Sequence, residues 1–301
     1  MMSLRLWYFG LPRLLLAAKL ATIAYLPEYR HAYDIEAAAE RGMVTDVVLF
    51  SVELSSGGAL QGEERLPSRE RVTRLRAAGT KVHLCIGGAG RSAGFSGLSD
   101  AKTRRKAVAG VLRLLRAWSL DGVDVDWETP RGEAEWRTLG NFLNDIRRAW
   151  SKTKEPHVAG LLLSFTLWPR DLQGMLAAKA GQKTILDVAD RIHMMTYGGD
   201  ERTAIKMWKQ AKLPIDRLTF GIRFFLEAGT PYYEIPDDQI NDTKAKNERQ
   251  RVRDAGTLAS VEGLAGCFVW EVGQDRSLTK RHSLLEALLA GTSEARRQVE
   301  L

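Results

Sequence analysis

The 301-residue sequence predicts an α/β fold, a (β/α)8 TIM barrel in a single domain. Three observations predict it. Short apolar runs rich in β-branched residues recur eight times, amphipathic stretches separate them, and eight such strand–helix units in about 280 residues match the length of a barrel. Composition suits a globular chain of this size, at 45% hydrophobic and 27% charged, with 27 Gly, 9 Pro and 2 Cys. It excludes a disordered chain, a collagen-like chain and a disulfide-stapled mini-protein. A multi-span membrane protein is excluded as well, because no later apolar run approaches the roughly 18 residues that a span needs.

The elements follow in order. Residues 1–21 hold Arg5, Arg13 and Lys19 and no acid, and Pro12 and Arg13 split their apolar pieces. They read as a targeting sequence or a helix, with a secretory, organellar or cytosolic destination left open. Strands are expected at Ile23–Tyr25, Val47–Val52, Lys81–Gly88, Gly122–Trp127, Gly160–Thr166, Arg191–Tyr197, Leu218–Arg223 and Leu264–Trp270. Successive starts lie 24 to 46 residues apart, each gap long enough for a crossover helix. Arg104–Ser119 places Val108, Val111, Leu112, Leu115 and Trp118 at helical spacing, with arginines opposite. Trp136–Trp150 does the same with Leu139, Phe142, Leu143, Ile146 and Trp150. A doubly wound open sheet is the competing architecture. It calls for a glycine-rich turn after the first strand, where Tyr25-Leu26-Pro27-Glu28 has none. No Pro-, Gly- or Ser-rich linker divides residues 22–290, and residues 291–301 read as a polar tail.

The net charge of +7 raises the question of a polyanionic partner. Most basic residues have acids among them. Lys102–Arg116 holds six basic residues and no acid, which fits the solvated face of one helix better than a nucleic-acid site. Cys85 and Cys267 sit in separate apolar segments and read as buried free thiols. The five histidines form no HxxxH or Cys/His cluster, so a dedicated metal site is not expected.

Chemistry concentrates in Leu120-Asp121-Gly122-Val123-Asp124-Val125-Asp126-Trp127-Glu128. Alternate residues of a strand share a face, so Asp124, Asp126 and Glu128 point one way while Val123, Val125 and Trp127 point the other. A barrel interior is normally filled by Val, Ile and Leu, and buried carboxylates cost several kcal/mol each unless paired or sharing protons. Like charges about 6–7 Å apart along a strand push pKa values upward. Glu128 falls at the C-terminal end of its strand, where barrel active sites lie, and a raised pKa suits a general acid. Two other readings stay open at this point: acids on a water-facing edge strand, and acids ligating a divalent cation.

Asp121 to Glu128 matches the DGxDxDxE signature of the family-18 glycoside hydrolases, the chitinase family, at every fixed position. Further segments resemble that family in chain order. Cys85-Ile86-Gly87-Gly88 is similar to its SxGG, with Cys replacing Ser, and Met195-Thr196-Tyr197 is similar to its MxYD. Tyr232-Tyr233-Glu234-Ile235 and Gly266-Cys267-Phe268-Val269-Trp270-Glu271, followed by Asp275, resemble its later segments. The resemblance implies cleavage of β-1,4-linked N-acetylglucosamine, in chitin or chitooligosaccharides, with the substrate's own acetamido oxygen as nucleophile. It implies Glu128 as general acid/base, Asp126 as partner of the acetamido N–H, Asp124 setting the charge of Asp126, and Tyr197 as donor to the acetamido oxygen. Trp270 would floor the sugar, with Tyr25, Gly88, Met195, Trp168 and Asp200 as further substrate-binding candidates. The implied partner is an N-acetylglucosamine-containing glycan, bound by a monomer without nucleic acid, membrane span, metal or cofactor.

Departures from the pattern qualify these expectations. Gly198 stands where the family carries Asp, with Asp200 two positions on, and Thr129 replaces the usual Tyr after Glu128. About 40 residues between the seventh and eighth strands leave no room for a sizeable chitinase insertion domain, which implies a shallow, open cleft. Within the same chemistry, an endo-β-N-acetylglucosaminidase on N-glycans or a peptidoglycan-directed enzyme is the alternative. From a different class, a non-catalytic lectin is the alternative, although such relatives typically lose the acid that Glu128 retains.

Overall fold

The computed structural model describes residues 20–153, 160–178, 185–197, 199–223, 225–227, 230–231, 242–275 and 284–299. The N-terminal stretch, Gly198, Tyr232-Tyr233-Glu234-Ile235, His157 and His282 lie outside them. Eight parallel strands close into a barrel: β1 (Ala21–Pro27), β2 (Asp46–Leu54), β3 (Lys81–Gly87), β4 (Gly122–Asp126), β5 (Leu162–Leu167), β6 (Arg191–Met194), β7 (Leu218–Arg223) and β8 (Gly266–Trp270). Each pairs with its neighbours in chain order. Closure is direct, since β1 pairs with β2 through Ile23 opposite Asp46 and with β8 through Ala21 opposite Gly266. The fold is a single-domain TIM barrel, and each expected strand overlaps the observed one. The sixth is shorter than expected: it ends at Met194, and Met195 to Tyr197 continue as irregular chain.

Helices cover the outside: α1 (Ile35–Glu40), α2 (Arg69–Ala77), α3 (Ala101–Trp118), α4 (Gly132–Ser151), α5 (Leu172–Ala177), α6 (Ile185–Val188), α7 (Glu201–Gln210), α8 (Asp242–Val261) and α9 (Leu284–Val299). Helix α3 begins where the Asp100 carboxylate accepts the Thr103 amide at 2.7 Å, and ends at Ser119 in the left-handed region. It buries Val108, Val111, Leu114 and Leu115 while its basic face stays outside. Helix α4 starts with Glu133 and Glu135 in its first turn, which complements the helix dipole, and buries Trp136, Leu139, Phe142, Leu143, Ile146 and Trp150. Between β7 and β8 the described residues form only α8 and two short paired strands, Phe225–Glu227 and Thr230–Pro231. The polar stretch from Gly291 continues α9 as helix to Val299. Among the described residues, no helix is long and apolar enough to cross a membrane.

Two apolar layers result. The outer one, between sheet and helices, contains Val123, Val125 and Trp127, and Trp127 stacks on Phe95 with ring centroids 5.1 Å apart. The inner one is small: Ala21, Ile23, Tyr25, Val48, Phe50, Cys85, Met195 and Phe268. Buried polar side chains, among them Asp46, His83, Asp124, Ser164 and His193, accompany it. At the floor, Asp46 accepts from His83 Nε2 at 2.7 Å and from Arg191 Nη1 at 3.0 Å, which ties β2 to β3 and, across the barrel, to β6. Gly122 makes that floor possible, because a Cβ there would lie 2.1 Å from His83 Nδ1. Asp121, one residue earlier, serves the fold: its carboxylate pairs with Arg76 and accepts the Val82 amide at 2.9 Å.

Candidate active site

The alternation along β4 turns Asp124 and Asp126 into the barrel and brings Glu128 to its C-terminal mouth. Asp124 is fully buried and accepts the Tyr25 hydroxyl at 2.8 Å on Oδ2 and the Ser164 hydroxyl at 2.7 Å on Oδ1. The Cys85 thiol lies 3.7 Å from Oδ2, so Cys85 hydrogen-bonds the first interior acid. Asp126, one layer higher and 4% exposed, accepts the Thr166 hydroxyl. Its carbonyl accepts the Gly88 amide at 2.6 Å, an approach that requires glycine, since a Cβ on Gly87 would lie 2.3 Å from that oxygen. Glu128 is half-buried; its carboxylate receives the Trp168 indole N–H at 3.3 Å and the Ala89 amide, and its own amide donates to Ser92 Oγ at 3.0 Å.

These placements set the electrostatics. Burial raises the Asp126 carboxyl well above the usual carboxylate range, and the charges of Glu128 and Asp124 push it further. Burial also raises Glu128, against the hydrogen bonds from Trp168 and Ala89. Tyr197 is raised by burial and then by the nearby Asp126 and Glu128, so its phenol keeps its proton and can donate. The result is a carboxyl of raised pKa at the mouth above a second raised carboxyl, Asp126.

Above the acids lies a cleft of about 170 Å³. Asp126, Glu128, Tyr197, Trp270, Trp168, Met195 and Tyr25 all line it, so most of the sequence-predicted site converges on one cavity. Trp168 stands edge-on to Tyr197 at 5.7 Å, and Trp270 edge-on to Tyr25 at 5.8 Å and to Phe50 at 4.6 Å, which fixes the aromatic walls. Three expected contacts are placed differently. Tyr25 contributes its ring, but its hydroxyl is committed to Asp124 below. Gly88 sits behind Asp126, while Ala89 lines the cleft. Asp200 is exposed at the start of α7, outside the lining, because the chain enters the helix there.

Sequence reasoning missed Thr166, Ser164, His193 and Arg223. The first two sit at alternate positions of an otherwise apolar strand, Leu161-Leu162-Leu163-Ser164-Phe165-Thr166, and the register sets Ser164 beside Asp124. Arg191 and His193 show the same period of two on β6. Arg223 ends β7 and lines the cleft, with no local pattern to mark it. Glu271 and Asp275 serve the fold: Glu271 pairs with Arg30 at 2.8 Å, and Asp275 accepts the first amides of α9 at 3.1 and 2.9 Å. Among the described residues, no group of three or more His, Cys, Asp or Glu is arranged to hold a metal ion.

A family model described as glycosyl hydrolases family 18 matches residues 22–223, which carry seven of the eight strands and all three acids. The chain belongs to that family. Sequence relatives include chitinase A of Pseudoalteromonas piscicida, 38% identical over 66 residues, or 22% of this chain and 8% of that protein. A class V chitinase of Medicago truncatula is 30% identical over 95 residues, or 31% of this chain and 24% of that protein. The match thus spans well under half the length of these relatives. Among solved structures, the family-18 N-acetylglucosaminidase of Paenibacillus barengoltzii superposes with a TM-score of 0.72 at 17% identity, covering 90% of this chain and 99% of that one. A Nicotiana tobaccum class V chitinase in complex with NAG4 gives 0.69 at 16% identity, covering 91% and 98%. The chitinase-like agglutinin of Robinia pseudoacacia gives 0.67 at 18%, covering 89% and 98%.

Proposed function

We propose that this family-18 chain is a chitinase-type glycosidase, with residues 22–290 as its catalytic unit, cleaving β-1,4-linked N-acetylglucosamine by a retaining, substrate-assisted route. One observation carries the reading: a half-buried Glu128 carboxyl at the cleft mouth, raised by burial, directly above the buried Asp126. A sugar seated on Trp270 would present its glycosidic oxygen to Glu128 and its N-acetyl group to Asp126 and Tyr197. Glu128 gives its proton to the leaving oxygen as the C1–O bond breaks. The acetamido oxygen closes onto C1 to form an oxazolinium ion. Asp126 accepts the acetamido N–H, and the Tyr197 phenol donates to the acetamido oxygen. Glu128, now a carboxylate, takes a proton from water as that water attacks C1 from the vacated face, restoring the acetamido group with retention.

The relatives' names support chitin-like substrates, as does the NAG4 complex of the tobacco chitinase. Arg223 in the lining supports a second reading, a peptidoglycan-type substrate with anionic substituents that a guanidinium can hold. Release of reducing ends from chitotetraose and colloidal chitin, with Glu128→Gln as the paired control, tests the proposal. Activity in wild type alone is the expected result. Binding of chitotetraose without cleavage by wild type would instead favour a lectin, and activity preserved in Glu128→Gln would remove Glu128 from its role.

A further inference from the structure

Beneath the cleft, side chains from three strands meet around a single hydroxyl hydrogen. The Tyr25 hydroxyl on β1 lies 2.8 Å from Asp124 Oδ2 on β4 and 2.8 Å from His193 Nδ1 on β6. His193 Nδ1 is also 3.5 Å from Asp124 Oδ1. The imidazole is 2% exposed and stacks on Phe268 at 5.3 Å, while its buried Nε2 has no hydrogen-bond partner among the described residues.

A phenol has one hydrogen, so Tyr25 can donate to Asp124 or to His193 but not to both. Which ring nitrogen of His193 carries the proton decides the matter. A proton on Nε2 would be a buried donor with no acceptor, at a cost of roughly 1–3 kcal/mol. A proton on Nδ1 finds the Tyr25 oxygen at hydrogen-bond distance. Burial pushes the imidazole down to about 4, against the charge of Asp124 and with that of Arg191, so the neutral ring prevails near neutral pH. Tyr25 and Asp124 contact this ring directly, and Arg191, His83 and Asp46 act on it electrostatically.

We propose that His193 is a positioning residue: its Nδ1–H donates to the Tyr25 oxygen, commits the Tyr25 hydrogen to Asp124, and so holds the Asp124 carboxyl in place beneath Asp126. The hydrogen-bond direction runs from His193 through Tyr25 to Asp124. Ser164 adds a second hydroxyl donor to Asp124. The consequence for turnover rests on the glycosidase reading; the tautomer does not.

Two measurements on the full-length chain test this. In protein labelled with 15N-histidine, the His193 signal, assigned through its ring contact with Phe268, is expected to show protonated Nδ1 and bare Nε2 from about pH 5 to 8. An Nε2–H tautomer would overturn the proposal, whether or not any substrate is cut. The second is the pH–rate profile on chitotetraose. His193→Phe, which cannot donate, removes the bond that orients the Tyr25 hydroxyl beneath the acids and is expected to move the acidic limb by about 0.5 pH unit or more. His193→Asn, which keeps a donor, is expected to hold the limb near wild type. Identical limbs in all three proteins would sink the idea, and a wild type that cuts no substrate would sink the glycosidase reading and leave the tautomer to decide.

Discussion

At the floor of the barrel Asp46 is 1% exposed, and just below the mouth Asp126 is 4% exposed, yet the two carboxyls are displaced in opposite directions. Burial raises both. At Asp46 the His83 hydrogen bond, the charges of His83 and Arg191 and a bond from Thr45 outweigh burial and hold the group well below the usual carboxylate range. At Asp126 the neighbours are Glu128 and Asp124, which add to burial, and one hydroxyl from Thr166 opposes it weakly. The same fold thus uses one buried acid as an anchor and keeps another loaded. An anchor is stabilised by its partners, whereas a loaded acid costs stability and suits proton transfer.

Four substitutions break or sharpen that contrast. Glu128→Gln has the largest expected effect, a loss in kcat of about 10³-fold or more with chitotetraose binding retained and the melting midpoint shifted by less than about 2 °C. Parallel kinetics, calorimetry and thermal scans check it. Asp46→Ala is the mirror image, leaving Arg191 and His83 without their carboxylate. Unfolding stability should fall by about 3 kcal/mol in urea titration, with kcat of the folded protein within about twofold of wild type. A comparable loss of activity would mean that the floor is coupled to the chemistry.

Asp126→Asn joins the two arguments. A carboxyl whose folded pKa is raised contributes stability below its unfolded pKa and loses it as pH rises through the folded value. Removing the ionisable group should therefore stabilise the protein at pH 7, by about 1 kcal/mol, while kcat falls by about 10²-fold. Asp46 has the opposite sign: its stabilisation is present above the unfolded pKa and is lost as pH falls. Urea titrations of wild type and both variants across pH separate the two. Trp168→Phe has the smallest expected effect. The indole N–H opposes the rise of Glu128, so its loss should move the basic limb of kcat upward by about 0.5 pH unit, with less than about tenfold change at the optimum.

What was legible in the sequence was local. The eight strands, the amphipathic α3 and α4 and the inward acids of β4 all follow from periods of two and of 3.6, which need only neighbouring residues. Tyr197 and Trp270 were legible through the family resemblance of their segments, and Trp168 by its place at the end of the fifth strand. Asp200 and Gly88 fall outside the cleft lining, because sequence proximity to a motif does not say which way a loop turns or whether the neighbour lines the cavity.

By itself, the sequence determined the barrel rhythm, the three acids on one face and the glycines that let backbone pass close to them. Closure of the barrel decided the rest. Asp46 meets Arg191, 145 positions away, and Tyr25 meets Asp124 and His193, 99 and 168 positions away, only because β1 is hydrogen-bonded to both β2 and β8. Whether a buried carboxyl is anchored or loaded depends on which charges those closures bring within a few ångströms, because Coulomb energies fall with distance in space and take no account of separation along the chain.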